Sequence, residues 1–377
     1  MNLLPNETPY FSTEFGHAYL GDSLRLLKQL NEACIDLICT SPPFPLLRKK
    51  AYGNVEAHEY MQWFKAFAFE FARILKPQGS LILDLGGTWV RGFPIRSLYH
   101  YELLIELCKP KAEGGCGFYL AQELYWYNPS KLPTPAEWVT VRRERVKDAV
   151  NTVWWLSLDE HPKADNRRVL KPYSDAQKKL MKNGYKPKVR PSEHVISAKF
   201  GKDNHGAIPP TLLNGLNDDD EKIGADVVVP VNVVSAPNTS SNDQYLRLCR
   251  KYQIEPHPAR FPKALPEFGI GLCTEERDLI LDPFAGSNMT GYVAEQMKRY
   301  WLAIEQEPKY LQGAQFRFAE EDAFTLDPAT QAIRMKPVVQ LEFQEMNLYM
   351  SAFDETLVEE LETEEELEQA ISEGSQE

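Results

Sequence analysis

Thr40-Ser41-Pro42-Pro43-Phe44 follows directly on the apolar run Ile35-Asp36-Leu37-Ile38-Cys39. Two consecutive prolines hold an extended, rigid backbone at that point. Pro42 has no N–H to donate, but its carbonyl still accepts a hydrogen bond. The Ser41 hydroxyl and the Pro42 carbonyl together suit the two hydrogens of one amino group, with Phe44 stacked on the ring that bears it. Taken alone, the same residues also describe a proline-terminated strand whose aromatic packs into a core.

A second segment, DPFAGSNMTG (Asp282–Gly291), reads as a strand ending in an acid, a tight turn of small residues and the start of a helix. Gly286 lets a ligand come close to the backbone, because a side chain there would obstruct it. About twenty residues further on, the strand LAIE ends in Glu305, placed to bond ribose hydroxyls at the carboxyl edge of an α/β sheet. The GxGxxG spacing of a dinucleotide phosphate loop is absent. A strand–turn–helix junction with a structural glycine is the plainer alternative. Asp84 closes the run SLIL and is expected at the carboxyl end of the strand beside the one carrying Ser41. A carboxylate there can orient or polarise the serine hydroxyl; an N-cap or turn carboxylate would look the same.

These groups need strands to hold them, and the chain supplies strands alternating with helices. HAYL leads through Gly21-Asp22-Ser23 into the amphipathic SLRLLKQL, with Asp22 or Ser23 at the N-cap position. Helical spacing runs from His58 to Leu75 and ends at Lys76-Pro77-Gln78-Gly79, before the strand SLILDLGG. Further strands are expected at Leu120–Tyr127, Asn151–Ser157 and RYWLAIEQ, and a helix near Thr290–Lys298. Continuous apolar strands separated by helices predict a parallel sheet covered on both faces. Between Leu158 and Glu255 the periodicity fades, and Leu216–Asn242 reads as loop. No stretch of eighteen apolar residues and no basic-then-apolar leader is present, so neither a membrane span nor a secretory signal is expected. The six cysteines contain no CxxC pair, which fits reduced thiols of the cytoplasm better than disulfides or zinc.

A formal charge of −12 on 377 residues argues against a DNA partner until its distribution is considered. Leu341–Glu377 holds thirteen acidic and no basic residues, which leaves the preceding 340 residues at +1. Arg142 to Gly206 carries sixteen Lys and Arg against eight Asp and Glu. Local charge decides whether a phosphate backbone can be approached. Arg142, Arg143, Arg145, Lys147, Arg167 and Arg168 are therefore the candidate DNA-binding residues, although a solvated basic loop is the plainer reading for any one of them. Leu357, Leu361, Leu367 and Ile371 recur at roughly helical intervals in the tail.

TSPPF near the N-terminus combined with DPFAGSNMTG near the C-terminus resembles the β-class amino-methyltransferases of DNA, in which the catalytic motif precedes the cofactor turn. The segments SPPFPLLRKKAYGN, WYNPSKLPTPAEWV, VKDAVNTVWWLS and HPARFPKALPEF extend the likeness to a cytosine-N4-specific branch of restriction–modification systems, over most of residues 8–320. The resemblance implies a circularly permuted Rossmann-like α/β methyltransferase with a mixed, mainly parallel seven-stranded sheet and a smaller DNA-recognition module. Residues 1–157 would form the catalytic half, 158–255 the target-recognition region, 256–340 the cofactor-binding half and 341–377 an acidic tail.

The implied cofactor is S-adenosylmethionine, with no metal. Asp282, Phe284, Gly286 and Ser287 would form its turn, Glu305 its ribose ligand, Asp22 the ligand of its adenine amino group and Glu267 a residue near its methionine end. Asp22 serves equally as a helix N-cap. Ser41, Pro42, Pro43, Phe44 and Asp84 would be catalytic. The implied substrate is a cytosine flipped out of duplex DNA, with CAGCTG as its site, a cognate endonuclease acting on the same sequence, and a monomeric or weakly dimeric enzyme in the prokaryotic cytoplasm, at the nucleoid in use. Two alternatives remain: an adenine-N6 enzyme on the same scaffold, and a DNA-binding relative without catalysis. A ring-carbon methyltransferase needs a Pro-Cys nucleophile, and no cysteine here follows a proline.

Overall fold

The structure, a computed structural model, describes residues 3–45, 57–128, 131–184, 188–189, 195–196, 202–209, 234–235, 243–320, 323–326 and 333–335. The chain divides into two units, residues 1–335 and Lys336–Glu377. The acidic tail, with its expected helix, and nearly all of Leu216–Asn242 lie outside the described residues.

The described elements run β1 (Phe11–Ser12), β2 (Gly16–Leu20), α1 (Ser23–Leu27), β3 (Ile35–Thr40), α2 (Ala57–Ile74), β4 (Leu75–Leu85), α3 (Tyr99–Cys108), β5 (Tyr119–Tyr127), β6 (Val150–Ser157) and α4 (Asp175–Asn183). They continue with β7 (Lys188–Val189), β8 (Val195–Ile196), β9 (Val234–Ser235), α5 (Gln244–Lys251), α6 (Ala264–Cys273), β10 (Leu279–Asp282), α7 (Met289–Gln296), β11 (Tyr300–Glu305), α8 (Pro308–Ala314), β12 (Phe324–Leu326) and β13 (Ile333–Met335).

Among the described residues one sheet has the order β1-β2-β11-β10-β3-β4-β6-β5-β9. Its edges, β1 and β9, are two residues each, so the seven strands between them correspond to the expected sheet. β2, β11, β10, β3 and β4 are mutually parallel, and β6 runs antiparallel to both β4 and β5. The central parallel strands are largely apolar and buried on both faces, which are covered. Successive side chains alternate between two cores. Ile38, Leu81, Leu83, Leu281, Leu302 and Ile304 pack with Tyr60, Phe64 and Phe71 of α2. Leu37, Cys39, Ile82, Ile280, Trp301 and Ala303 pack with Leu265 and Ile270 of α6 and Val293 and Ala294 of α7.

Two local expectations need correcting. α1 closes at Leu27 rather than Leu30, because Gln29 and Leu30 bond three residues back, to the carbonyls of Leu26 and Leu27. Lys76-Pro77-Gln78-Gly79 does not separate helix from strand. It is a bulge inside β4, bracketed by the pairs Ile35–Leu75 and Leu37–Ser80. The Lys76 Nζ donates to both oxygens of the buried Asp36 at 2.9 Å and fastens the bulge to β3.

Candidate active site

Five parallel strands side by side deliver their carboxyl ends to one edge of the sheet. Across that edge stand Asp22 after β2, Glu305 ending β11, Asp282 ending β10, Ser41 after β3 and Asp84 near the end of β4. After β3 the chain passes to α2 on one face; after β10 it passes to α7 on the other. The boundary between β10 and β3 is thus the switch point at which open α/β sheets take ligands.

Hydrogen bonds knit this edge. Thr40 Oγ1 donates to Asp282 Oδ1 at 2.6 Å, and Thr290 Oγ1 donates to Asp282 Oδ2 at 2.7 Å. The Phe284 N–H donates to the same carboxylate at 3.1 Å. Asp282 is therefore the internal brace of the turn; burial pushes its pKa up to about 6 against those three donors. Gly286 has φ +51°, and a β-carbon there would lie 3.1 Å from the His257 ring. Its N–H donates to Glu305 Oε2 at 2.8 Å, while Glu305 Oε1 accepts from the Gln306 and Glu307 N–H groups at 2.9 Å. Burial raises the Glu305 pKa, and those N–H groups oppose the rise. Ser287 is held by Arg317, which donates to its carbonyl at 2.8 Å and its hydroxyl at 3.1 Å. Phe284 packs on Trp63 and Phe67 of α2. Asn288, with φ +53°, caps α7 by accepting from the Gly291 N–H.

Next to this turn, Ser41 Oγ donates to Asp84 Oδ2 at 3.0 Å. The other carboxylate oxygen accepts from Asn151 Nδ2 at 3.3 Å, and Lys131 Nζ donates to Asn151 Oδ1 at 3.3 Å. Asp84 is buried, and desolvation lifts its pKa to about 7, opposed by the bonds from Ser41 and Asn151 and by the charge of Lys131. A carboxyl group poised near neutrality and bonded to a hydroxyl is equipped to take up a proton. Pro42 is buried and Pro43 partly so; Phe44 lies over Gly86, where a β-carbon would come within 2.6 Å of its ring.

Two other cofactor candidates already have partners. Asp22 is exposed and caps α1, accepting from the Arg25 N–H at 2.8 Å. Glu267, in the first turn of α6, pairs with Lys263 at 2.9 Å. Sequence reasoning missed Asn151, Lys131 and His257. All three lie in segments that carry the family resemblance, but nothing in their type or spacing marks them as part of the site.

The basic candidates divide. Thr152 pairs with Leu85, so β6 begins at the edge that carries Ser41 and Asp84. Arg142, Arg143, Arg145 and Lys147 precede that start. Arg142 pairs with Glu137 and covers Trp138 at 4.9 Å; Arg145 covers Trp89 at 3.6 Å and donates to the Pro94 carbonyl. Arg143 and Lys147 are exposed. Ser157, the end of β6, pairs with Ser80, at the far edge of the sheet. Arg167 and Arg168 follow it there and do not join the others. Arg167 pairs with Asp165, and Arg168 donates to Glu275 and to the Leu272 carbonyl, both at 3.1 Å.

A permuted Rossmann-like sheet, with a serine–proline corner beside a glycine turn, defines an amino-methyltransferase architecture. Residues 35–316 match the DNA methylase family, and the chain belongs to it. It is 47% identical over 317 residues to the type II methyltransferase M.PvuII of Proteus hauseri, covering 83% of this chain and 87% of that one. To M.BglII of Bacillus subtilis it is 25% identical over 310 residues, 82% of this chain and 71% of the relative. The fold is similar to that of PvuII DNA methyltransferase (cytosine-N4-specific), with a TM-score of 0.63 and 41% identity over 84% of this chain and 91% of that one.

Proposed function

We propose that this protein transfers a methyl group from S-adenosylmethionine to N4 of a cytosine flipped out of duplex DNA. The observation that carries the reading is the Ser41–Asp84 hydrogen bond, one strand away from the Gly286 turn. That turn suits the cofactor: its positive φ and the close His257 ring exclude a side chain at Gly286, so bare backbone is presented at the switch point where open α/β sheets take ligands. Gly286 and Ser287 would lie along the cofactor, with Phe284 beside its ring. Glu305 keeps one of about four lone-pair positions for a ribose hydroxyl. Asp22 would face the adenine amino group and Glu267 the methionine end.

The cofactor supplies an electrophilic methyl group on sulfur, which the amino nitrogen takes up with loss of one proton. The amino lone pair of cytosine is delocalised into the ring. Bonds from the amino hydrogens to Ser41 Oγ and the Pro42 carbonyl favour a pyramidal nitrogen and localise the pair. Ser41 then takes the departing proton as its own passes to Asp84 Oδ2. Positioning and fixed dipoles supply most of the acceleration. Phe44 stacks on the flipped base, offsetting part of the few kcal/mol that eversion costs. Arg142, Arg143, Arg145 and Lys147, on the same edge, meet phosphates.

The reading places the enzyme in a bacterial cytoplasm, acting as a monomer or weak dimer beside an endonuclease of the same specificity. Mass spectrometry of nucleosides from DNA treated with the protein tests it: N4-methylcytosine is expected, whereas N6-methyladenine or no methylated base overturns it. Protection of plasmids against a panel of restriction enzymes, with CAGCTG among their sites, gives the sequence.

A further inference from the structure

Lys131 lies some twenty residues upstream of β6, yet its Nζ reaches Asn151 at the head of that strand. A carboxamide has an oxygen that only accepts and a nitrogen that only donates, and crystallographically similar ends. Nothing in Asn151 itself decides which end faces Asp84. An ammonium group has three donors and no acceptor, so it takes the oxygen and turns the nitrogen toward the carboxylate. We propose that Lys131 is a positioning residue of this site: it orients the Asn151 amide, and through it the carboxylate that holds Ser41. The inference rests on the roles given above to Ser41 and Asp84.

Local structure makes this geometry repeatable. The Lys131 N–H donates to the Asn128 carbonyl at 3.2 Å, and the Asn128 N–H donates to the Ala149 carbonyl at 2.8 Å. The start of β6 and the Lys131 backbone are therefore fixed to each other. Gly86 leaves space for the amide, since a β-carbon there would come within 3.4 Å of Asn151 Oδ1. Asp84 is faced by Ser41 and Cys39 from the β3 side, by Asn151 from β6, by Tyr99 from α3 and by the Lys131 charge. Lys131 in turn feels Asp148 and Arg96. With Lys131 removed, the amide can turn its oxygen toward Asp84, and Asp84 loses its nearest compensating cation. Both changes disfavour the ionised carboxylate, so a higher pH is needed to prepare it.

The experiment is single-turnover methylation of a duplex oligonucleotide carrying the target site, measured against pH for the parent, Lys131→Met, Lys131→Gln, Lys131→Arg and Ser41→Ala, with cofactor affinity and melting temperature measured for each. Lys131→Met and Lys131→Gln are expected to move the acid limb of the profile up by about one pH unit and to lower the plateau roughly 10-fold. Lys131→Arg should restore most of both, and cofactor affinity should not change. An unmoved acid limb in the folded Met and Gln variants overturns the proposal, as does an effect confined to DNA affinity, which would make Lys131 a phosphate contact. Near-parental turnover in Ser41→Ala would instead remove the underlying mechanism, whatever Lys131 does.

Discussion

Thr40 Oγ1 donates to Asp282 Oδ1 across 2.6 Å, joining the last residue of β3 to the last residue of β10. This bond fixes where the serine corner begins relative to where the glycine turn begins, since Ser41 and Pro283 are the next residues on either side. Thr40→Val keeps the shape and removes the donor. The buried Asp282 then depends on Thr290 and the Phe284 N–H, and a loss of about 1–3 kcal/mol is expected in denaturant unfolding. Turnover should fall further than the folded fraction does, because the two motifs lose their register.

Asp84 must be ionised to receive a proton, and burial puts its pKa at about 7. Below that pH the carboxyl already carries its proton. The single-turnover rate should therefore fall tenfold per pH unit on the acid side and level off above about pH 7. Asp84→Asn should abolish the limb together with most of the rate. A flat profile between pH 5 and pH 8 in the parent enzyme would remove Asp84 as the acceptor.

Gly286 combines a positive φ with a close His257 ring. Gly286→Ala has to accommodate both, so the turn shifts. S-adenosylmethionine affinity, measured by calorimetry, should drop by at least about tenfold while circular dichroism remains that of the parent. Unchanged affinity would place the cofactor elsewhere.

The basic residues give a paired prediction. Arg145→Ala should weaken duplex binding and reduce the slope of log affinity against log salt by about one. Arg167→Ala, at the far edge of the sheet, should leave both unchanged. Equal effects from the two would mean that DNA wraps further round the protein than the catalytic edge.

The parts of the site legible in the sequence are those that end strands. Ser41, Asp84, Asp282 and Glu305 each close an apolar run, and parallel strands bring such ends to one edge. What stayed hidden depends on where the chain goes between strands. Arg142 and Arg167 are near in sequence, but β6 lies between them, and its eight residues carry the chain about 25 Å across the sheet. Asn151, Lys131 and His257 meet the motifs only through tertiary contact, and no spacing in the sequence announces it. The bulge at Lys76–Gly79 had the composition of a helix stop; the Asp36 carboxylate that turns it into part of a strand comes from a different element.

The two ends of the Thr40–Asp282 bond are 242 residues apart in the chain. A ribosome adding about 5–20 residues per second needs roughly 10–50 s to get from one to the other. During that interval the growing polypeptide exposes its serine corner but has no glycine turn to set beside it. A chain that ends before Asp282 therefore holds the serine corner without the carboxylate that fixes Thr40, and the two motifs come into register only once the segment through Thr290 has been made.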